Sequence, residues 1–548
     1  MKTRNRFCAG VLLRLLSSFI LLASLLVLTK AHAAVGDIFD LDGLKYTVLT
    51  EEPAAKTGTV SVQAESSEIS GDIVIPISVI HGKINYSITL IQDYAFFRCS
   101  SLTSIIIPFC VTSIGGSAFY VCSSLTSVVI PDSVTSIGDN AFHDCSSLTS
   151  VVIPDGVTSI GDYAFFGCSS LTSIVIPDSV SSMGDGVLYA CSKLTNVTIG
   201  NGVSSIDGNA FSGCSSLTEL VVGKNNPNFS SLDGVLFNKD LTTLILCPQR
   251  KSSAYRVPDS VTSISFLAFD SCSGLTNIVI PESVTEIEDL AFILCSNLRS
   301  IEIPDSITSI GYKAFDGCDK LPPILFSKGK KILARYSPSN KEPSYTIPDT
   351  VTYIAGGAFT GCTNLTSIII PDSITSIGNR AFDECDKLPP ILFNKGKKIL
   401  ARYSPSNKEP SYTIPDTVTY IAGGAFTGCT NLTSIIIPDS VASIGDGAFT
   451  ECSSLTSIII PENVTTIGNF AFESCSGLTS ITIPESVTSI GYWAFNNRGS
   501  LTAVYFKGNA PELPGGNAFF GPSVIYYKPG TTGWTNPWGG RPAKEWVE

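Results

Sequence analysis

The sequence predicts an α/β-type solenoid of about nineteen stacked coils, mostly of 23 residues each, with a parallel β-sheet on the concave face and a cap at either end. Three observations predict it. Cys99, Cys122, Cys145, Cys168, Cys191 and Cys214 fall every 23 residues, and the same register returns at Cys272, Cys295, Cys318, Cys362, Cys385, Cys429, Cys452 and Cys475. Each regular interval carries S-L-T-S-I-x-I-P-D-S-V-T-S-I-G-D-x-A-F-x-x-C in nearly constant form. A unit this short cannot bury its own apolar face, so neighbouring copies must stack to make a core.

The chain opens with Lys2, Arg4 and Arg6, an apolar run from Leu15 to Leu28, and then Ala31-His32-Ala33. This is the three-part grammar of a secretory signal peptide over residues 1–33, with cleavage before Ala34. A membrane anchor is the competing reading, but the run of fourteen residues falls short of the roughly 20 that a spanning helix needs. The mature chain is therefore expected to lack a transmembrane segment. Removing 1–33 takes away five cations and no acid, moving the formal charge from −12 to −17. Such a charge disfavours nucleic acid and anionic membranes as partners.

Residues 34–87 hold strand-like Leu44-Lys-Tyr-Thr-Val-Leu49 and Thr59-Val-Ser-Val62, then Ile73-Val-Ile75-Pro76, which is already repeat-like. They are assigned to an N-terminal cap that shields the open sheet edge. Asp40-Leu-Asp42-Gly43 lacks the distal Glu of a calcium loop and is read as a turn. Repeats fill residues 88–505. In Leu171-Thr-Ser-Ile174-Val-Ile176-Pro177, the L-x-x-I-x-I spacing is the leucine-rich-repeat strand signature, and the strand stops at a proline that has no N–H to give. Val180, Met183 and Val187-Leu188, which is Ala-Phe in most copies, turn inward on the return path. The phenylalanines from Phe96, Phe119 and Phe142 through to Phe495 form an inner column.

The register breaks in degenerate double coils near 215–271, 319–361 and 386–428. Residues 314–378 and 381–445 differ at only four positions, the mark of a duplicated 67-residue block. The block carries one basic cluster twice: Lys328, Lys330, Lys331 and Arg335, and again Lys395, Lys397, Lys398 and Arg402. These residues either keep an exposed edge from pairing or contact an anionic glycan or acidic protein. Residues 506–548, with Pro511, Pro514, Trp534, Trp538 and Trp546, are assigned to a C-terminal cap.

The I-P-x-x-V-T-x-I-G-x-x-A-F-x-x-C pattern, dense from about Ile88 to Phe506, resembles the BspA-like subgroup of leucine-rich repeats, a family of bacterial and protist surface proteins. The resemblance implies a curved solenoid with a parallel sheet on one face, adhesive or ligand-binding roles, and no catalytic activity.

The residues themselves agree on the last point. The mature chain has two histidines, His81 and His143, neither in a setting for general-base or metal chemistry, and no phosphate loop opens a helix. No catalytic residue, metal ligand or cofactor is expected. Fourteen cysteines share one column, and a column of parallel side chains opposes the twist a disulfide requires, so they are read as buried free thiols. Zinc lacks a C-x-x-C or Cys/His cluster. Alternation along the strand places the x of S-I-x-I outward at Ile106, Val129, Val152, Val175, Val221, Val279, Ile369, Ile436 and Ile459, interrupted by Thr198, Glu302 and Thr482. This apolar stripe is either the strand preference for β-branched residues or an interaction surface. The expected function is a non-enzymatic, adhesin-like protein, secreted or exposed at the cell surface. Its concave sheet and basic excursions would bind an extracellular protein or polysaccharide. The alternative is a structural coat protein that self-associates.

Overall fold

The computed structural model describes residues 34–251, 253–497, 500–514, 516–521 and 523–546. The signal-peptide assignment falls on residues 1–33, outside that set. The chain is a β-solenoid of about 19 turns. Among the described residues every regular element is a strand, so the α/β expectation is corrected to all-β. The return path, expected to carry the second element, contains Pro-Asp-Ser turns and β-branched residues that disfavour helix.

Each regular coil has three sides, and in most coils all three are stitched to the neighbouring coils. The first is the expected long strand, paired in parallel with Ser104 opposite Ser127, Ile105 opposite Val128 and Ile106 opposite Val129. The second was not anticipated. Thr-Ser-Ile of the V-T-S-I-G segment forms its own parallel ladder of two-residue strands, Ser113–Ile114 beside Ser136–Ile137 beside Ser159–Ile160. Two kinds of ladder, not one, recur along the molecule, each divided into several short sheets. The third side is the D-x-A-F-x-x-C turn, in which Phe96 N donates to Ala118 O at 2.6 Å and Phe119 N to Ala141 O at 2.7 Å. The backbone polar groups of each coil are thus satisfied by its neighbours, as burial demands.

Two left-handed residues bend each turn, such as Asn140 and Asp144 at φ 55° and 54°. The Gly of I-G is set by closeness. A Cβ on Gly138 would lie 2.6 Å from Gly116 N and 2.7 Å from Gly115 C in the coil before it.

The inner column stacks as expected, with ring centroids 5.2 Å apart for Phe96–Phe119, 5.0 Å for Phe119–Phe142 and 5.3 Å for Phe142–Phe165. Beside it run the thiols. Cys122 Sγ donates to Phe96 O at 3.0 Å and Cys145 Sγ to Phe119 O at 3.1 Å, and the described cysteines are all free. Burial pushes the Cys99 thiol up to about 11 and that of Cys122 to about 12, and it raises Cys145, Cys168 and Cys191 well above the ordinary thiol range.

The degenerate coils share one construction. Ile324–Phe326 and Ile332–Tyr336 form an antiparallel hairpin, and its second strand restarts the short-strand ladder in parallel with Tyr353–Ile354. The duplicate does the same with Ile391–Phe393, Ile399–Tyr403 and Tyr420–Ile421. So does the segment Val235–Asn238, Thr243–Leu246 and Ser263–Ile264. The N-terminal segment is a fourth instance: Leu44–Glu52 pairs antiparallel with Thr57–Ala64, which pairs in parallel with Ile84–Ile91. Asp42 and Gly43, at φ 54° and 76°, form the tight turn of a further hairpin there.

The ladders run past residues 88 and 505. Ser70–Val74 pairs in parallel with Ser101–Ile106, and at the other end Ala503–Phe506, Val524–Tyr527 and Ala543–Glu545 continue the long-strand sheet.

Candidate functional site

Period-two alternation decides what the long-strand face shows. Ile130, Ile153 and Ile176 point into the core, whereas Val129 is 57% exposed, Val152 76% and Ile459 82%. Val175, Val221, Ile369 and Ile436 are exposed as well. Ile106 and Val279 are half-buried, so the stripe is broken at those two positions. Arg256 and Glu302 flank Val279 in register and place charge on the same column.

Where three regular coils present Val152, Val175 and Thr198, the face holds an open groove of about 680 Å³. Its floor is apolar. Pro154 and Pro177 border it, and exposed Asp132, Asp155 and Asp178 form an acidic rim. Asp178 is held in place by Asn201, which donates to it from N and from Nδ2 at 2.8 Å each.

The sequence reading ended this column at Thr482, and the structure extends it. Thr482 pairs with Tyr505 and Tyr505 with Tyr526, their rings 4.9 Å apart, with the Trp546 ring 5.1 Å from Tyr505 and Lys544 Nζ 5.0 Å from the Tyr526 ring. The signal was legible in Ala-Val-Tyr-Phe and Val-Ile-Tyr-Tyr, which alternate as S-I-x-I does. A second aromatic row was missed on the turn side, where Phe97, Tyr120, His143, Phe166 and Tyr189 stack at 5.2, 4.5, 4.3 and 5.1 Å. His143 is wedged between two rings; burial lowers its pKa, opposed by the Asp144 carboxylate 3.3 Å from Nδ1.

The basic clusters divide. Lys328, Lys330 and Lys331 form the exposed tip of one hairpin, and Lys395, Lys397 and Lys398 that of the other. Lys328 N donates to Ile303 O at 2.9 Å and Lys395 N to Ile370 O at 2.8 Å, so both tips sit at the edge of the long-strand face. Asp305 anchors the first tip by accepting from Ser327 Oγ at 2.7 Å and Gly329 N at 3.0 Å, and Asp372 anchors the second from Asn394 and Gly396. The Ser327 bond first, then Gly329 and the nearby lysines, holds the Asp305 carboxyl below its ordinary range.

Arg335 and Arg402 do not belong with these lysines. They are 6% and 7% exposed, and they precede Tyr336 and Tyr403, which take the Phe position of A-F-x-x-C: Tyr336 N donates to Ala358 O at 2.7 Å, and Tyr403 N to Ala425 O at 2.6 Å. The arginines therefore stand where regular coils have a buried alanine. Placing them in a solvated basic loop is corrected accordingly, because the segment after each tip is a strand facing the core.

Among the described residues there is no cluster of three potential metal-ligating side chains, and no helix is long and apolar enough to cross a membrane.

The chain matches the family described as BspA type leucine rich repeat region in six copies, over residues 75–154, 135–252, 249–341, 336–409 and 402–524. Among solved structures it is similar to a leucine rich cell surface protein from Faecalibacterium prausnitzii A2-165, with 31% identity over 64% of this chain and 93% of that one and a TM-score of 0.46. It is similar also to a leucine-rich repeat protein from Bacteroides ovatus ATCC 8483, at 28% identity over 85% and 94% of the two chains with a TM-score of 0.32. The pneumococcal vaccine antigen PcpA aligns at 20% identity over 82% and 95% with a TM-score of 0.44. No curated protein matches. With its repeats matched over more than half its length, the chain belongs to the BspA-type leucine-rich-repeat family.

Proposed function

We propose that this is a secreted or surface-exposed, non-enzymatic binding protein whose long-strand face holds an extracellular protein or glycan, with the lysine tips guiding acidic partners to its edge. The observation that carries this reading is the apolar floor at Val152 and Val175, open to solvent within a groove and bounded by exposed carboxylates. Monomeric proteins rarely leave a contiguous apolar surface without a partner. In this reading residues 34–87 and 506–548 serve as the caps at the two ends of the array. One similar structure, that of a leucine rich cell surface protein, is in keeping with a chain exported by a signal peptide over residues 1–33.

Two triple variants test the surface. Val129→Thr, Val152→Thr and Val175→Thr together keep the β-branched shape and should change stability by no more than about 1–2 kcal/mol, given that strand propensities span ~1 kcal/mol. Retention of ligands found in a screen of matrix proteins and glycans should fall. Ile130→Thr, Ile153→Thr and Ile176→Thr should abolish cooperative melting, because each buries a hydroxyl without a partner. Unchanged retention by the first variant would move the binding surface elsewhere. Light scattering of the purified chain separates the alternative, since a self-associating coat protein would grow in mass with concentration while a binding protein stays monomeric.

A further inference from the structure

We propose that the two notches beside Arg335 and Arg402 each bind one monovalent anion of chloride size, with the buried guanidinium as its counter-charge. At each hairpin coil the turns on either side leave a gap. The first is lined by Lys313 and Asp316 from one flank, Arg335, Tyr336 and Pro338 from the hairpin coil, and Gly356, Gly357 and Thr360 from the other flank. The equivalent residues of the duplicate line the second.

Each guanidinium is compensated only in part. Nη1 of Arg335 and of Arg402 is buried with no hydrogen-bond partner. Asp319 approaches Arg335 Nη2 only to 3.6 Å and is itself 82% exposed, and Arg402 has no carboxylate at ion-pair distance among the described residues. Lys313 and Arg380 on the notch flanks are already engaged by Glu384 at 3.5 Å and by Glu451 at 3.7 Å, and the carboxylates Asp316 and Asp383 also line the notches. The hydroxyls of Tyr336 and Tyr403, from the same coils, are buried without partners as well. An unpaired charge out of water is strongly unfavourable, and an ion from solvent relieves it.

Size selects the ion. The cavities measure about 20 and about 10 Å³, against the roughly 10–15 Å³ that admits a single water. Chloride, somewhat larger than water, fits the first closely and the second with a small shift of its lining, whereas sulfate or phosphate would need the turns to part. The inference is independent of the surface reading, because the notches lie on the turn side and bind no macromolecule.

The test is the melting of the mature chain in sodium chloride and in sodium gluconate at equal ionic strength. Chloride should raise the melting temperature progressively with each tenfold increase in concentration, as a ligand of the folded state does. Arg335→Met or Arg402→Met alone should remove about half of that increment if the two sites are independent, and the double variant all of it. Bromide soaked into crystals of the unaltered protein should give an anomalous peak in each notch, which decides the matter even if the double variant fails to fold. Identical melting in the two salts, a full increment in the double variant, or notches without an anomalous peak would each overturn the proposal.

Discussion

The regular coils and the hairpin coils solve the same stacking problem in different ways. A regular coil presents three stitched sides and fills the interior with Phe, Ala and Cys. A hairpin coil ends the short-strand ladder of the preceding sheet and starts another, yet keeps its place in the aromatic column, with the Tyr336 ring 5.1 Å from Phe359. Its neighbours close over it. Gly356 N donates to Ile310 O at 3.0 Å, Tyr312 Oη to Asp383 at 3.3 Å, and Lys313 Nζ lies 3.5 Å from Glu384, all reaching across the hairpin coil. Arg380 and Glu451, 3.7 Å apart, repeat the bridge over the duplicate. Such partly exposed pairs contribute little stability. What the solenoid preserves is the inner column, and what it varies is the outline, so stability resides in the regular coils and variation of surface charge in the hairpins.

The largest expected break in that comparison is alkaline. The regular coils carry the column thiols, while residues 319–361 and 386–428 carry none and residues 215–271 carry Cys247 alone. A thiol whose folded pKa is raised favours the folded state fully below its unfolded value and loses that contribution as pH climbs toward the folded value. From Cys99 to Cys214 the shifts all run upward. With an unfolded value near 8.5–9, each thiol should cost about 1.4 kcal/mol per pH unit above it, and six together roughly 8 kcal/mol over the first unit. Urea midpoints at pH 8 and pH 10 measure this. Equal midpoints would mean that the interior accepts thiolates.

Next in size is the aromatic column. Phe142→Ala removes a fully buried ring stacked on both sides and should cost about 3–5 kcal/mol, read from urea unfolding. A loss below 1 kcal/mol would show that neighbouring rings collapse into the gap and that the column is not continuous.

The period of 23 made the inner columns and the outward stripe readable, because a fixed repeat assigns every position an inside or an outside once. The short-strand ladder was hidden by its brevity: two residues per coil show no alternation, and apolar residues every third position suggested a return path of another kind. Arg335 and Arg402 were misplaced for a related reason. Charge near Lys-Gly-Lys-Lys suggests a loop, and only alignment of Ala-Arg-Tyr with the x-A-F of regular coils puts the arginine in an alanine's place. Tyr505 and Tyr526 escaped because the repeat consensus has decayed there while its alternation has not.

The smallest expected effect on stability concerns the hairpin tips. Lys328→Glu, Lys330→Glu and Lys331→Glu, with the same changes at Lys395, Lys397 and Lys398, reverse six exposed charges without touching the buried arginines. Their cost comes mainly through Asp305 and Asp372, whose tip contacts persist because the donors Ser327, Gly329, Asn394 and Gly396 are unchanged. Exposed charge interactions are worth about 0–1 kcal/mol, so each tip should shift unfolding by less than that. Binding to an acidic glycan should fall and lose its dependence on salt, since steering by exposed charge is screened over a Debye length of about 10 Å at 0.1 M ionic strength. If the reversed protein melts like the original and still binds that glycan with the same salt dependence, the tips only guard a sheet edge. If instead melting loses its cooperativity, the tips belong to the fold, and the division between stable regular coils and variable hairpins fails at that point.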